Sequence, residues 1–121
     1  MTLVDTSVWI DHFRKPDATL AQLLANRSAA LHEFVLGELA GGSLPRRVAT
    51  LTFLRRLPRV PIAQDSEVHH LLESHRLWGK GFGWVDLHLL ASSILSGFTL
   101  LTADQRLMQL ATKLGAGYPV N

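Results

Sequence analysis

A strand that runs into a carboxylate and then straight into a helix leaves a short chain few folds to choose from, and this chain opens that way. Thr2-Leu3-Val4 is apolar and ends on a β-branched residue, Asp5 follows, and Ser7, Val8 and Trp9 begin a helical pattern. Short apolar runs with β-branched residues read as strands. Such a strand is expected in the sheet of a small α/β domain, where ligands bind at the carboxyl ends of the strands. Asp5 would stand at that end, in the first turn of a helix. The same carboxylate would also serve as an N-cap, accepting a backbone N–H of that turn, and this stretch alone leaves both roles open.

The remaining pattern alternates in the same way. Val8, Trp9, His12 and Phe13 keep helical spacing, and a second helix runs from Pro16-Asp17 to about Asn26 with Leu20, Leu23 and Leu24 on one face. Ala29 to His32 is a weak strand candidate, and Phe34 to Ala40 is a helix stopped by Gly41-Gly42. A helix from Ser43, with Pro45 in its first turn, would bury Leu44, Val48, Leu51 and Leu54. Arg59 to Ile62 reads as a Pro-bounded edge strand. The next helix starts at Asp65 and ends near Trp78, with Val68, Leu71, Leu72 and His75 inward. After the loop Gly79-Lys80-Gly81-Phe82-Gly83, the segment Trp84 to Ser96 is apolar nearly all round, which predicts a buried helix. Phe98 to Leu101 is a strand, Thr102 and Gln105 have capping-box spacing for a last helix, and Tyr118-Pro119-Val120 offers a final short strand. The expectation is one domain over residues 1–121, an α/β/α sandwich around a parallel sheet of four to five short strands.

Composition narrows the chemistry. With no Cys among 121 residues, disulfides and thiolate metal sites are excluded. No run approaches the roughly 18 apolar residues of a membrane span, and the start lacks a basic-then-apolar leader, so the expected setting is the cytoplasm, without a membrane. Net charge is only +2, yet no acid lies between Glu38 and Asp65, where Arg46, Arg47, Arg55, Arg56 and Arg59 fall. These arginines form either a solvated helix face or a contact for RNA or an acidic partner. The glycine loop is no Walker phosphate loop, since the closing Lys-Ser/Thr pair is absent, and gives flexibility or a tight approach.

Among the ten acids, four stand in apolar surroundings: Asp5 after Leu-Val, Glu38 within Val-Leu-Gly-Glu-Leu-Ala, Asp86 within Trp-Val-Asp-Leu, and Asp104 after Leu-Leu-Thr-Ala. A buried ionised carboxylate is costly unless paired or bound to metal, so four in one core call for a shared cause. Convergence would raise their pKa values unless a divalent cation sits among them, and oxygen-only donors select Mg²⁺ or Mn²⁺. His88 lies about 200° round the helix from Asp86 and does not face the same cation. His69, His70 and His75 show no i, i+4 ligand pair, and no Gly-x-Ser-x-Gly elbow supports a serine hydrolase.

Val-Asp-Thr-Ser-Val-Trp-Ile, Val-Leu-Gly-Glu-Leu-Ala-Gly-Gly, Gly-Trp-Val-Asp-Leu-His-Leu-Leu-Ala-Ser and Leu-Leu-Thr-Ala-Asp-Gln-Arg-Leu, in that order, resemble the PIN-domain ribonucleases and more closely the VapC toxins of toxin–antitoxin pairs. The resemblance covers essentially the full length. It implies a metal-dependent endoribonuclease that cuts RNA by attack of an activated water and leaves 5′-phosphate ends. Asp5, Glu38, Asp86 and Asp104 match the four acids of that pattern, Asp5 and Asp86 as direct ligands of Mg²⁺ or Mn²⁺. Ser7 and Thr102 match its hydroxyl positions. Implied partners are an RNA substrate (tRNA, rRNA or mRNA), a VapB-type antitoxin and a second copy in a homodimer. Lys80, Arg46, Arg47 and Arg55 are the expected RNA contacts. Some relatives carry a further acid where this chain has Arg106.

Two other classes stand beside this one. A phosphoacceptor receiver domain would want paired acids after the first strand and a Lys near the site, whereas Asp5 is followed by Thr-Ser and Lys113 falls well inside the last helix. A catalytically silent antitoxin-binding protein would be separated from an enzyme by metal-dependent RNA cleavage.

Overall fold

The computed structural model describes residues 1–119. Three strands, β1 (Thr2–Val4), β2 (Ala29–Ala30) and β3 (Thr99–Leu101), form a parallel sheet in the order β2-β1-β3. The registers are Thr2↔Ala29 on one side and Thr2↔Thr99, Leu3↔Leu100 and Val4↔Leu101 on the other. β1 is therefore central and its neighbours leave in opposite directions. The carboxyl end of β1 is the switch point where open α/β sheets form their binding crevice.

The sheet is narrower than the sequence suggests. Of the two further strands expected at its edges, Arg59–Ile62 supplies a single parallel bridge, Leu31↔Arg59, and the other edge has one bridge, Leu100↔Gly117, one residue before the expected Tyr118. Pro58 and Pro61 flank the first bridge and lack the N–H that a longer ladder needs. At the other edge, a Cβ on Gly117 would come within 2.8 Å of Thr112 Cα, so only glycine lets this segment pass the last helix. Of the expected final strand, Val120 lies outside the described residues.

Among the described residues seven helices flank the sheet: α1 (Thr6–Arg14), α2 (Ala18–Ala25), α3 (Glu33–Ala40), α4 (Arg47–Arg56), α5 (Asp65–Ser74), α6 (Trp84–Ser96) and α7 (Gln105–Lys113). α1 packs on α2 and α3, α3 on α4, and α5 on α6, while α6 and α7 pack on β3. The core joins Leu3, Val4, Trp9, Leu20, Leu54, Val68, Leu89, Leu90, Leu100 and Leu107, all below 2% exposure. Along α6 the run Leu87–Ser93 is buried, but Ile94 and Leu95 at its end are in water. No helix of the described residues is long and apolar enough to cross a membrane.

Three helix boundaries differ from the sequence reading. α4 starts at Arg47 and not near Ser43, because Arg46 takes a left-handed conformation (φ 44°), and Leu44 precedes proline, which disfavours the helical region. Val48, expected inside, is 81% exposed, and Leu51 and Leu54 carry the packing. α5 ends at Ser74, not Trp78, and His75 is exposed. There Arg76, at φ 52°, holds the left-handed position of a Schellman ending, with Leu77 N bonded to Leu72 O at 2.9 Å and Arg76 N to Glu73 O at 3.3 Å. α2 ends the same way around Arg27. A search for glycine misses both. Finally, Thr102 does not cap α7. Asp104 does, accepting from Arg106 N and Leu107 N at 3.0 and 3.2 Å.

Beyond β2 lies a corner of aromatic rings. His32, fully buried, caps α3 by accepting Phe34 N at Nδ1. Phe34 packs on His32 and on His88, and Trp84 on His88, with ring centroids 4.8 Å apart in each pair. His88, 1% exposed, places Nε2 at 3.1 Å from Asp65 Oδ1. His88 is thus a core histidine, while His69, His70 and His75 are surface residues.

Candidate active site

The local sequence puts carboxylates at the positive ends of helices. Asp5 is the N-cap of α1, Asp104 the N-cap of α7, and Asp86 sits in the first turn of α6 with its Oδ2 accepting Gly83 N at 3.2 Å. Helix N-termini favour negative charge and offer unpaired N–H groups. Since β1 and β3 are parallel, Asp5 and Asp104 emerge at the same edge of the sheet. Glu38, in the second half of α3, is brought there only by tertiary packing.

Hydroxyl groups tie Asp5 to Glu38 and to the start of α7 at Asp104, while Asp86 is held by the Gly83 amide. Asp5 Oδ1 accepts Thr6 N at 2.7 Å, and its Oδ2 accepts both Ser7 Oγ at 3.0 Å and Thr102 Oγ1 at 2.7 Å. Thr102 Oγ1 in turn accepts Asp104 N at 3.1 Å, and Ser7 Oγ accepts Ala103 N at 3.1 Å. Thr6 Oγ1 donates to Glu38 Oε1 at 2.7 Å. Thus Ser7 and Thr102 both serve Asp5 and join α1 to the β3–α7 connection. Thr6, which the sequence did not single out, links Asp5 to Glu38. No local signal marks it, because its partner lies 32 positions away.

The four acids are not all embedded in the core, contrary to the inference from their apolar neighbours. Asp5 is 8% exposed and Asp86 half-buried, but Glu38 and Asp104 face water. Apolar neighbours along a helix fix the opposite face, not the burial of the residue between them. The electrostatic part of the expectation holds at Asp86. Its pKa is raised first by burial, then by the charges of Asp5, Asp104 and Glu38, with the Gly83 hydrogen bond opposing. All four acids therefore act on one locus although they come from four separate stretches of chain.

Among the described residues no three carboxylate or imidazole groups close into a ready metal cage. The donor set is carboxylate and hydroxyl oxygen, and among the described residues no Lys or Arg pairs with it. That suits a hard cation such as Mg²⁺, which keeps several waters and takes one or two carboxylates directly, better than one needing an all-protein shell.

The expected RNA contacts are dispersed. Arg46 and Arg47 begin α4, where Arg47 Nη1 reaches Gly42 O at 3.4 Å. Gly42 to Pro45 line a cavity that also includes Glu38 and Arg14. Arg55 is exposed near the end of α4, and Arg59 is engaged with Glu33 at 2.7 Å. Lys80 lies on the opposite flank, in the loop before α6, where its carbonyl accepts Arg106 Nη2.

Comparison with known proteins shows the family. The PIN domain family matches residues 2–113. Ribonuclease VapC32 of Mycobacterium tuberculosis, in strains CDC 1551 and H37Rv, is 43% identical over 116 residues, covering 95% of this chain and 94% of the relative.

Proposed function

Because this chain belongs to the PIN-domain family as a VapC-type toxin, we propose that it is a divalent-metal-dependent endoribonuclease whose active centre is the cluster of Asp5, Glu38, Asp86 and Asp104. The observation that carries the reading is the convergence at Asp86, where burial and three other carboxylates oppose its ionisation. Such a field repels a phosphodiester unless a cation is present, and gains strongly from one.

Asp5 and Asp86 are the groups that would hold Mg²⁺ or Mn²⁺. When bound, the cation supplies activation of the attacking water and neutralisation of charge at phosphorus. The chain's residues do the positioning. Three hydrogen bonds at Asp5 hold its carboxylate in one orientation, so little reorganisation is needed when substrate arrives. Thr102 keeps Asp104 in register with Asp5, and Thr6 does the same for Glu38. Lys80 and, beyond Glu38, Arg46, Arg47 and Arg55 are assigned to substrate phosphates.

A VapB-type antitoxin covering the acid crevice and a homodimer belong to the same reading. The apolar side chains left in water on α1 and α4, Ile10, Val48 and Phe53, support a second copy. The test is RNA 5′-end mapping in cells expressing the chain without a partner, beside Asp5→Ala at matched level, with the purified protein assayed in Mg²⁺, Mn²⁺ and chelator. Defined 5′-phosphate ends that need both Asp5 and metal are expected. Identical RNA ends with both proteins, and no cleavage in vitro, would leave an antitoxin-binding protein without activity.

A further inference from the structure

The groove between the Gly79–Gly83 loop and α7 has a volume of about 290 Å³, and Lys80, Phe82, Arg106, Gln109 and Lys113 are among its lining residues, with no acid. It begins beside the most acidic place in the molecule, since Asp104 caps the helix that carries Arg106 and Lys113. Along α7 the surface therefore passes from negative to positive. Seven residues separate the two cations, which puts them on one face and about 10 Å apart along the axis. That is on the scale of three stacked nucleotides at ~3.4 Å each.

Arg106 is fixed before any ligand arrives. It donates to Lys80 O, its Cζ lies 5.3 Å from the centre of the Phe82 ring, and a Cβ on Gly81 would stand only 3.0 Å from its Nη1. Gly81, at φ +85°, holds a backbone conformation that favours glycine and so fixes the loop beside the guanidinium. A cation held in this way loses little freedom on meeting a phosphate. Lys113, exposed in the last turn, has no side-chain partner among the described residues and is open to the same ligand.

We propose that this groove carries the phosphate backbone of single-stranded RNA to the acid cluster, with Arg106 and Lys113 as anchoring cations and Lys80 on the facing wall. The proposal rests on the ribonuclease reading. An acidic protein segment is the competing occupant, but the largest apolar side chain available to it, Phe82, is already covered by Arg106.

The experiment titrates a fluorescein-labelled single-stranded RNA oligonucleotide with Asp5→Ala protein in Mg²⁺ at several salt concentrations. Lys113→Gln in that background is expected to reduce the slope of log Kd against log salt by about 0.7, and Lys113→Arg to restore it. Arg27→Gln, at the opposite edge of the sheet, where Ser28 O accepts Thr2 N, is expected to leave the slope unchanged. In the active enzyme Lys113→Gln should raise KM with kcat unchanged. If the active enzyme cuts RNA but Lys113→Gln leaves slope and KM alone, or if Arg27→Gln lowers the slope equally, the groove is not the RNA track. If the active enzyme cuts no RNA in Mg²⁺ or Mn²⁺, the ribonuclease reading fails and the track with it.

Discussion

Two corners at the same edge of the sheet treat titratable groups in opposite ways. At the end of β1, three carboxylates at helix N-termini meet Glu38 from the second half of α3; Glu38 and Asp104 are open to water, and burial first, then the charges of the other three, raise the proton affinity of Asp86. Beyond β2, the imidazoles of His32 and His88 are enclosed. His32 has its pKa lowered to about 4, by burial first and by His88 second, with Glu33 opposing. Its Nδ1 accepts Phe34 N, while its Nε2 has no partner among the described residues. His32 accepts an orphan donor of α3, and its burial disfavours the charged imidazole. The acid corner supplies hydroxyl and amide donors that hold charge which the protein alone does not neutralise. The difference separates a packing solution from a binding site.

The largest test of this contrast removes a charge from the acid corner. Asp5→Ala or Asp86→Ala is expected to lower RNA cleavage by on the order of a hundredfold or more while far-UV circular dichroism stays native. Loss of folding together with metal-independent behaviour would make the cluster structural.

The aromatic corner predicts a loss of stability in acid. Because the His32 pKa is lowered in the folded state, its contribution is complete above pH 6.5 and is lost as pH falls towards 4. The loss is roughly 3 kcal/mol in all. His32→Asn keeps a capping side chain for Phe34 N and should flatten this part of the stability–pH curve, even though the smaller side chain costs stability at every pH. Denaturant unfolding between pH 7 and 4 decides it, and an unchanged slope would move the titration elsewhere.

A smaller effect, of opposite sign, belongs to Asp86. Its raised pKa means that the stability it allows is complete below the ordinary carboxylate range and is lost as pH rises through the shifted value. At neutral pH in chelator, Asp86→Asn should therefore melt higher than the native chain, and added Mg²⁺ or Mn²⁺ should raise only the native chain's Tm. A variant that melts lower in chelator would show that Asp86 is satisfied by the protein itself.

The smallest effect is expected at the edge of the aromatic corner. Asp65 meets His88 but its side chain is 79% exposed, so water screens the pair. Asp65→Asn should cost no more than about 1 kcal/mol, and a larger loss in the same denaturant series would mean that the pair is part of the core.

Much of this was legible in the residues. Period and punctuation located all seven helices and the three strands, because apolar spacing, Gly97 and the acids at helix starts are local devices. Asp5 stood out because it follows the strand that became central. Asp104 stood out for a similar reason, though as the cap that Thr102 was expected to be. Burial was not legible. Glu38 and Asp104 have apolar neighbours and face water, and Val48 keeps helical spacing with Leu51 yet is 81% exposed. For Glu38 and Val48 a helix pattern specifies one face, and whether another element covers the next face depends on packing; Asp104 follows the apolar strand β3 but caps α7 from outside the core.

By itself, then, the sequence determined the element order, the parallel α/β class and the residue types of the acid site, since these follow from propensity, periodicity and the chemistry of carboxylates. Only the tertiary structure decided that Thr6 would bond Glu38, that Thr102 would bridge Asp5 and Asp104, and that Arg106 would close on the glycine loop. The contacts from Thr6 to Glu38, from Thr102 to Asp5 and from Arg106 to Lys80 join residues 26 to 97 positions apart. Nothing in a local stretch encodes such a meeting, which is set by how the strands register and where each helix comes to rest.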